Sequence, residues 1–455
     1  MHKVLIANRG EIAVRIAAAC RAASLASVAV FADQDRDTVH VRAADEAVAL
    51  NGTAPAATYG DAVKVLRAAV DAGADAVHPG YGFLAEDAEF AQSVLDAGLT
   101  WIGPPPAAIR LLGDKLSARQ VADQAGAPLL AALTTPAPDA AQVEAFARAN
   151  GLPIVIKAVS GGGGRCVRVA RTTAEVQARY ADVMRAAATA AGRAECFAER
   201  FLDQARHVEA QCLADRYGNV VVVSTRDCSL QRRHQKIVEE APAPFLPRGV
   251  DARLRTVSKN IVRAAGCVGA ATCEFLLGRD GTLAFLETNP RLAVAHPVSE
   301  EITGLDLVLE TFRLAEGEPI GYDDPPSRGH ALQFRIYAED PGRGFMPSPG
   351  TVAGWRPPSG PGVRVDTGAG RGSVVTPAFG TLLAKLIVTG ASRHEALQRA
   401  SLALGEFAIA GVATSLPFHR WLVRNEAFAP AGSGAPWSVH AGWVDTAWTT
   451  ARPEP

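Results

Sequence analysis

The sequence is poor in the features that assign a chain to a class quickly. Seven cysteines are dispersed, with no CxxC pair and no metal-ligand spacing. That pattern argues against a thiolate metal centre or a disulfide scaffold, and for buried free thiols in a reducing compartment. No apolar run approaches the roughly 20 residues of a membrane-spanning helix. Neither charge sign is in excess, because the formal net charge is −1. A broad basic face for nucleic acid or an anionic membrane is therefore not expected, although a local cationic pocket for a small anion is compatible with this balance. Internal repeats and low-complexity segments are missing. The first apolar stretch, Val4–Ala7, is too short for a secretory segment and runs directly into Asn8-Arg9-Gly10. A cytoplasmic location is expected.

What is present is length and alternation. A chain of 455 residues exceeds one compact core, so two or three domains are expected. Short apolar runs alternate with helical patterns in the first third: strands at Val4–Ala7, Ser27–Phe31 and Ala76–His78, helices at Ile12–Ala23, Asp61–Ala72 and Asp87–Ala97. Such alternation implies a parallel sheet covered on both faces. After Pro104-Pro105-Pro106 a helix begins near Ala107, and Ala131–Pro138 reads as a loop. A helix at Ala140–Ala149 and a strand at Pro153–Val159 follow. From Cys196 to Glu287 the text is β-like, with one helix near Leu254–Ala265. Pro325–Gly329 reads as a linker, Leu382–Val388 as a strand and Arg393–Phe407 as a helix. The segment beyond Phe428 reads as turn-rich and frayed.

Three clusters carry chemistry. The strand ending at Val159 leads into Gly161-Gly162-Gly163-Gly164. Without Cβ atoms, backbone N–H groups can close on phosphate oxygens. The same run would also suit a flexible surface loop, and it is not a Walker A loop, since no Gly-Lys-Ser/Thr follows. Lys157 on the preceding strand and Lys115 at a helix start could reach phosphates. Glu274 and Glu287 lie in apolar strand text, with Asn289 close by. Carboxylates there are costly to bury unless paired or metal-bound, and these oxygens suit Mg²⁺ on a nucleotide; solvent-facing strand ends are the bland alternative. The third cluster, Arg226–Lys236, is cationic. Lys236 with Arg291 and Arg335 could hold a small anion, although such runs are more often solvated basic loops.

Together these segments resemble the biotin carboxylase family of the ATP-grasp superfamily. The matching text is Ile6-Ala7-Asn8-Arg9-Gly10-Glu11-Ile12-Ala13, His78–Leu84, Gly113-Asp114-Lys115, Arg206-His207-Val208-Glu209, Arg226 through Pro244, and Arg335–Asp340. The resemblance extends to about Trp443. It implies a mixed α/β and α+β fold: a Rossmann-like N-terminal domain at 1–112, an ATP-grasp core at 113–319 whose mobile lid covers about 128–202, and a C-terminal biotin carboxylase domain at 328–443. It further implies ATP with Mg²⁺ or Mn²⁺, and biotin as a substrate on a separate carrier. Nucleotide contacts fall on Lys115, Lys157, the glycine run, Glu199, Leu202, His207, Gln231, His234 and Leu276. Metal ligands fall on Glu274, Glu287 and Asn289. Substrate and catalytic positions fall on Tyr81, Lys236, Arg291, Val294 and Arg335. The family's carrier has a Met-Lys pair, and the methionines here precede His2, Arg185 and Pro347. A separate biotin carrier and a carboxyltransferase are thus the expected partners, and Arg15 and Arg364 match positions near the family's homodimer interface.

The match fails in one place of chemical weight. The family pattern resembles Leu-Gln-Val-Glu-His-Pro-Val, whereas this chain has Leu292-Ala293-Val294-Ala295-His296-Pro297-Val298. Ala293 replaces the glutamine that binds bicarbonate, and Ala295 replaces the glutamate regarded as its general base. Were the stretch extended, positions i and i+2 would enlarge one face of the pocket. Cys166 stands where glycine is usual, and Tyr337 and Gly380-Thr381 also differ. The leading expectation is an ATP-dependent biotin carboxylase subunit with a substitute base such as Glu209. A ligase that activates another carboxylate as an acyl phosphate, and an ATP-binding pseudo-carboxylase with a regulatory role, remain open from the residues alone.

Overall fold

The computed structural model describes residues 1–159, 166–191, 194–430 and 437–451. The expected glycine run, Gly161 to Gly164, lies outside the described residues.

The N-terminal alternation produces a five-stranded, all-parallel sheet. Its order is Glu46–Ala49, Ala26–Phe31, Lys3–Ile6, Ala76–His78, Thr100–Trp101. Val4, Leu5, Ile6, Val28, Val30 and Val77 are fully buried, as expected where helices cover both faces. Helices Gly10–Ala22, Ala62–Asp71 and Ala88–Asp96 supply that cover. Asp61 and Asp87 cap the second and third by accepting backbone N–H groups of the first turn.

A small unit follows, in which the antiparallel sheet Val167–Ala170, Ile154–Ala158, Cys196–Arg200 packs on helices Ala140–Asn150 and Thr173–Ala191. Val143, Phe146, Ile154, Ile156, Val176 and Val183 give it a core of its own. Cys166 is buried in that core, so its thiol is packing rather than a reactive surface group.

The centre of the molecule is an eight-stranded antiparallel sheet ordered Leu283–Asn289, Gly269–Leu277, Arg206–Ala214, Val220–Arg232, Gln235–Ala241, His330–Tyr337, Leu382–Gly390, Val363–Thr367. Pro325–Gly329 therefore does not separate two sheets: His330–Tyr337, just beyond it, pairs directly with Gln235–Ala241. Helix Val250–Ala264 covers one end of the sheet and helix Arg393–Glu406 the other.

Two local expectations are corrected. The basic run from Arg226 is not a solvated loop: Arg226–Arg232 continues the strand begun at Val220, and Arg226 is fully buried. Among the described residues beyond Phe428 there is a helix, Trp443–Ala451, where only turn-rich chain was expected; residues 431–436 and 452–455 lie outside the described residues. Val439, Trp443, Val444 and Trp448 join the C-terminal core, where Trp421 and Trp443 stack with ring centroids 5.8 Å apart. All seven cysteines are free and buried, and no helix among the described residues is long and apolar enough to cross a membrane.

Candidate functional site

The site is built on strand register. Across four neighbouring strands Arg226 pairs with Glu209, Glu209 with Glu274, and Glu274 with Glu287. Residues opposite one another share a face, so three carboxylates stand in one row. Like charges at that spacing repel, and cations offset this. Arg226 Nε donates to Glu209 Oε1 at 2.5 Å, and Lys236 Nζ bridges Glu209 Oε2 at 2.6 Å and Glu274 Oε1 at 2.8 Å. Burial pushes the Glu209 carboxyl up, but Arg226, Lys236 and His207 more than offset this and hold it well below the ordinary range. Glu274 is likewise opposed by burial, yet Lys236 and His207 bring it down to about 2. Glu287 is raised, by burial and then by its neighbour Glu274, with Lys115 pulling in the opposite direction. A carboxylate pair of this kind accommodates a divalent cation.

Two donor sets compete for that cation. His207, Glu209 and Glu274 bring ligand atoms within 4.8 Å of one another. However, Glu209 already spends both oxygens on Arg226 and Lys236. The His207 ring accepts from Gln231 Nε2 at Nδ1 (2.8 Å), and its Nε2 lies 2.7 Å from Glu274 Oε2. Glu274, Glu287 and Asn289 form an all-oxygen set better suited to Mg²⁺. Asn289 is already beside Glu274, its Nδ2 donating to Oε1 at 2.7 Å.

Among the residues expected to contact a nucleotide, Lys115 opens helix Lys115–Gln124, whose N-cap Asp114 accepts from Ser117 N–H. The Lys115 ammonium charge acts on Glu287 in the direction opposite to burial. Lys157 is buried, and its Nζ meets Glu199 Oε2 at 2.5 Å. Arg119 holds the other Glu199 oxygen. His234 sits close enough to Lys157 that the ammonium, after burial, lowers its pKa. Leu276 is opposite His207 in register. Leu202 packs over Gly278, where an added Cβ would approach Leu202 Cδ2 to 3.2 Å, so a side chain there would crowd this wall.

On the far side lie the anion-binding candidates. Arg291 Nε donates to Glu86 Oε1 at 2.9 Å, tying it to the loop that carries Tyr81. Arg335 Nε donates to Glu239 Oε1 at 2.7 Å, and Tyr337 bridges Arg335 to the Lys236 carbonyl at 3.4 Å on each side. The Tyr81 hydroxyl donates to Glu11. The Leu292–Ala295 stretch is not extended: it turns, with Ala295 at φ −83°, ψ 6° as N-cap of helix His296–Thr303, and the His296 N–H donating to Ala293 O at 3.1 Å. The i, i+2 argument for one enlarged face therefore does not hold. Ala293 and Ala295 are both buried, and Val294 stands between them in the turn.

Comparison with known proteins decides the family. Residues 1–109 match the model for the biotin carboxylase N-terminal domain, 114–322 the ATP-binding domain of the carbamoyl-phosphate synthase L chain, and 333–440 the biotin carboxylase C-terminal domain. The alpha3 subunit of a biotin-dependent acyl-coenzyme A carboxylase from Mycobacterium leprae is 54% identical over 447 residues, covering 98% of this chain and 74% of that protein. The chain belongs to the biotin carboxylase family. It is an ATP-dependent ligase of the ATP-grasp type. A Nostoc biotin carboxylase is 42% identical over 428 residues, 94% of this chain and 96% of that one. Among solved structures, biotin carboxylase from Campylobacter jejuni in complex with a β,γ-ATP ligand superposes with a TM-score of 0.93 at 32% identity, covering 97% and 98% of the two chains. The biotin carboxylase domain dimer of Hydrogenobacter thermophilus 2-oxoglutarate carboxylase, solved with MgADP, ADP and bicarbonate, gives 0.93 at 36% identity and 97% of each chain.

Within this biotin carboxylase fold, several functional neighbours escaped the sequence reading: Arg119 on Glu199, Glu239 on Arg335, and Glu11 on Tyr81. The one available signal was an ionisable residue inside apolar text, as at Glu239-Glu240 in a buried strand. Arg15 and Arg364 converge on Glu300, at 2.9 and 2.8 Å.

Proposed function

We propose that the chain phosphorylates bicarbonate with ATP and carboxylates biotin borne on a separate carrier protein, feeding a carboxyltransferase. The observation that carries this reading is the row Arg226–Glu209–Glu274–Glu287 with Lys236 pinned across its middle. It supports one centre in which a metal-nucleotide and a small anion meet. Lys115, Lys157, Glu199, Leu202, His207, Gln231, His234 and Leu276 bind and orient the nucleotide. Glu274, Glu287 and Asn289 would hold Mg²⁺, which when bound neutralises charge on the phosphates. Lys236 and Arg291 hold bicarbonate, so that its oxygen is aligned with the γ-phosphorus. Arg335, with Tyr81, stabilises the negative charge that develops on the biotin ureido oxygen.

The unit at about 128–202 acts as a lid, and its closure excludes water from the phosphorylated intermediate. Elsewhere in the chain, the Arg15–Glu300–Arg364 network supports a homodimer contact at the surface these three residues share.

The test is ATP cleavage measured with bicarbonate and free biotin, and separately with a panel of small carboxylates. Stimulation by bicarbonate, with carboxybiotin as product, is expected. Stimulation by other carboxylates alone would overturn the reading.

A further inference from the structure

With alanine at 295, the bicarbonate proton needs another destination. The carboxylates nearest the anion site are nearly all engaged, and Glu287 is among the residues that would hold Mg²⁺. Glu209 is held by Arg226 and Lys236; Glu274 by Lys236 and Asn289; Glu239 by Arg335 at one oxygen and Gln333 at the other. Glu86 is half-exposed and ion-paired to Arg291. A carboxylate whose lone pairs already serve cations is a poor proton acceptor.

Glu11 differs. It lies in the first turn of helix Gly10–Ala22 and is buried. Among the described residues, its Oε2 is the only buried carboxylate oxygen without a hydrogen-bond partner. The other oxygen accepts from Tyr81. Lys385, fully buried and without a hydrogen bond at Nζ, stands 3.7 Å from Glu11 Oε2 and 3.7 Å from Asp366 Oδ2, and lies 5.7 Å from the Tyr81 ring centroid. Tyr81 packs in the same cluster as Leu292, the residue before Ala293. Its loop also supplies Glu86 to Arg291. The loop that carries Tyr81 is thus tied both to the cluster holding Leu292 and to Arg291, the expected bicarbonate anchor.

Resting on the biotin carboxylase reading above, we propose that Tyr81 and Glu11 form the proton path that replaces the missing carboxylate at position 295. The bicarbonate hydroxyl proton passes to Tyr81 Oη as the tyrosine proton passes to Glu11 Oε1. The freed oxygen bonds to the γ-phosphorus, the bond from that phosphorus to the β,γ-bridging oxygen breaks, and ADP leaves with the electron pair. Glu11 acts through Tyr81. The charges facing it are Lys385, Asp366 and Arg335; burial makes it more basic than an ordinary carboxylate, while Lys385 and Arg335 keep it ionisable.

The experiment compares E11Q and Y81F in the unmodified chain and in an A295E background. The readouts are bicarbonate-dependent ADP release across pH, and MgADP binding by calorimetry as the check on folding. In the unmodified chain, E11Q should lower kcat about 10²-fold, the contribution of a positioned base. It should also erase the acid limb of the pH profile and leave MgADP affinity unchanged. Y81F should do the same, and the double variant should be no worse than either single one, as for groups that act as a unit. In A295E the loss on E11Q should largely vanish. Retention of rate and acid limb in E11Q, or an equal loss in both backgrounds, would overturn the relay. Absence of bicarbonate-stimulated cleavage in both the unmodified chain and A295E would instead remove the parent reading.

Discussion

Replacing Arg226 by methionine is the sharpest test of the charged row. The guanidinium is fully buried and donates to Glu209 Oε1 at 2.5 Å, Gln211 Oε1 at 2.8 Å, Ser299 Oγ at 2.9 Å and Thr272 Oγ1 at 3.4 Å. Methionine fills much of the volume but leaves Glu209 with Lys236 as its remaining cation. Breaking a buried pair by removing one partner costs about 3–5 kcal/mol. Glu209→Met in the same chain removes the stranded charge, and Lys236 keeps Glu274. The double variant should therefore be more stable than R226M alone, because replacing both ions by apolar groups is often near neutral. A chain of several units need not unfold in one step, so the assay is amide hydrogen exchange in the strand Arg206–Ala214, which reports local opening. R226M should accelerate exchange there by about 10²–10⁴-fold, at a factor of ten per 1.4 kcal/mol. Lys236 would also be drawn toward the freed Glu209, so the KM for bicarbonate should rise. Exchange within about threefold of the unmodified chain, or a double variant worse than R226M, would refute the reasoning.

Further outcomes follow from single contacts. Glu240 is buried between Arg393 Nε at 2.7 Å and His330 Nε2 at 2.8 Å; burial opposes its ionisation, but these partners bring it from 4.5 down to about 2. A depressed carboxyl stabilises the fold above its unfolded pKa and loses that contribution as pH falls toward 2. E240Q should thus cost about 3 kcal/mol at neutral pH. It should also flatten the fall in stability between pH 4.5 and 2 seen by acid titration of fluorescence. Lys157→Ala should weaken ATP binding about 10–150-fold, the worth of a hydrogen bond to a charged group, while Arg119 still holds Glu199; unchanged affinity in calorimetry would remove Lys157 from the site. Restoring Ala293→Gln with Ala295→Glu should increase bicarbonate-dependent ATP cleavage, and an unchanged rate would count against the placement of that turn beside the bicarbonate.

The sequence alone determined what depends on neighbours along the chain. Three of the five strands of the N-terminal sheet, Lys3–Ile6, Ala26–Phe31 and Ala76–His78, and its three covering helices were legible from apolar periodicity, whereas the edge strands Glu46–Ala49 and Thr100–Trp101 are too short to carry a pattern of their own. The long contiguous motifs were legible for the same reason. Only the tertiary structure decided that Arg226, Glu209, Glu274 and Glu287 share one row, because strand register is set by packing between segments far apart in the chain. The same dependence hid the single sheet running past Pro325–Gly329, the helix Trp443–Ala451 and the turn at Ala293–Ala295. A charged residue reads as solvated until its partners are known. Arg226 is the clearest case, since its partners, including Ser299 and Thr272, come from other strands and from a helix start that no local pattern links to it.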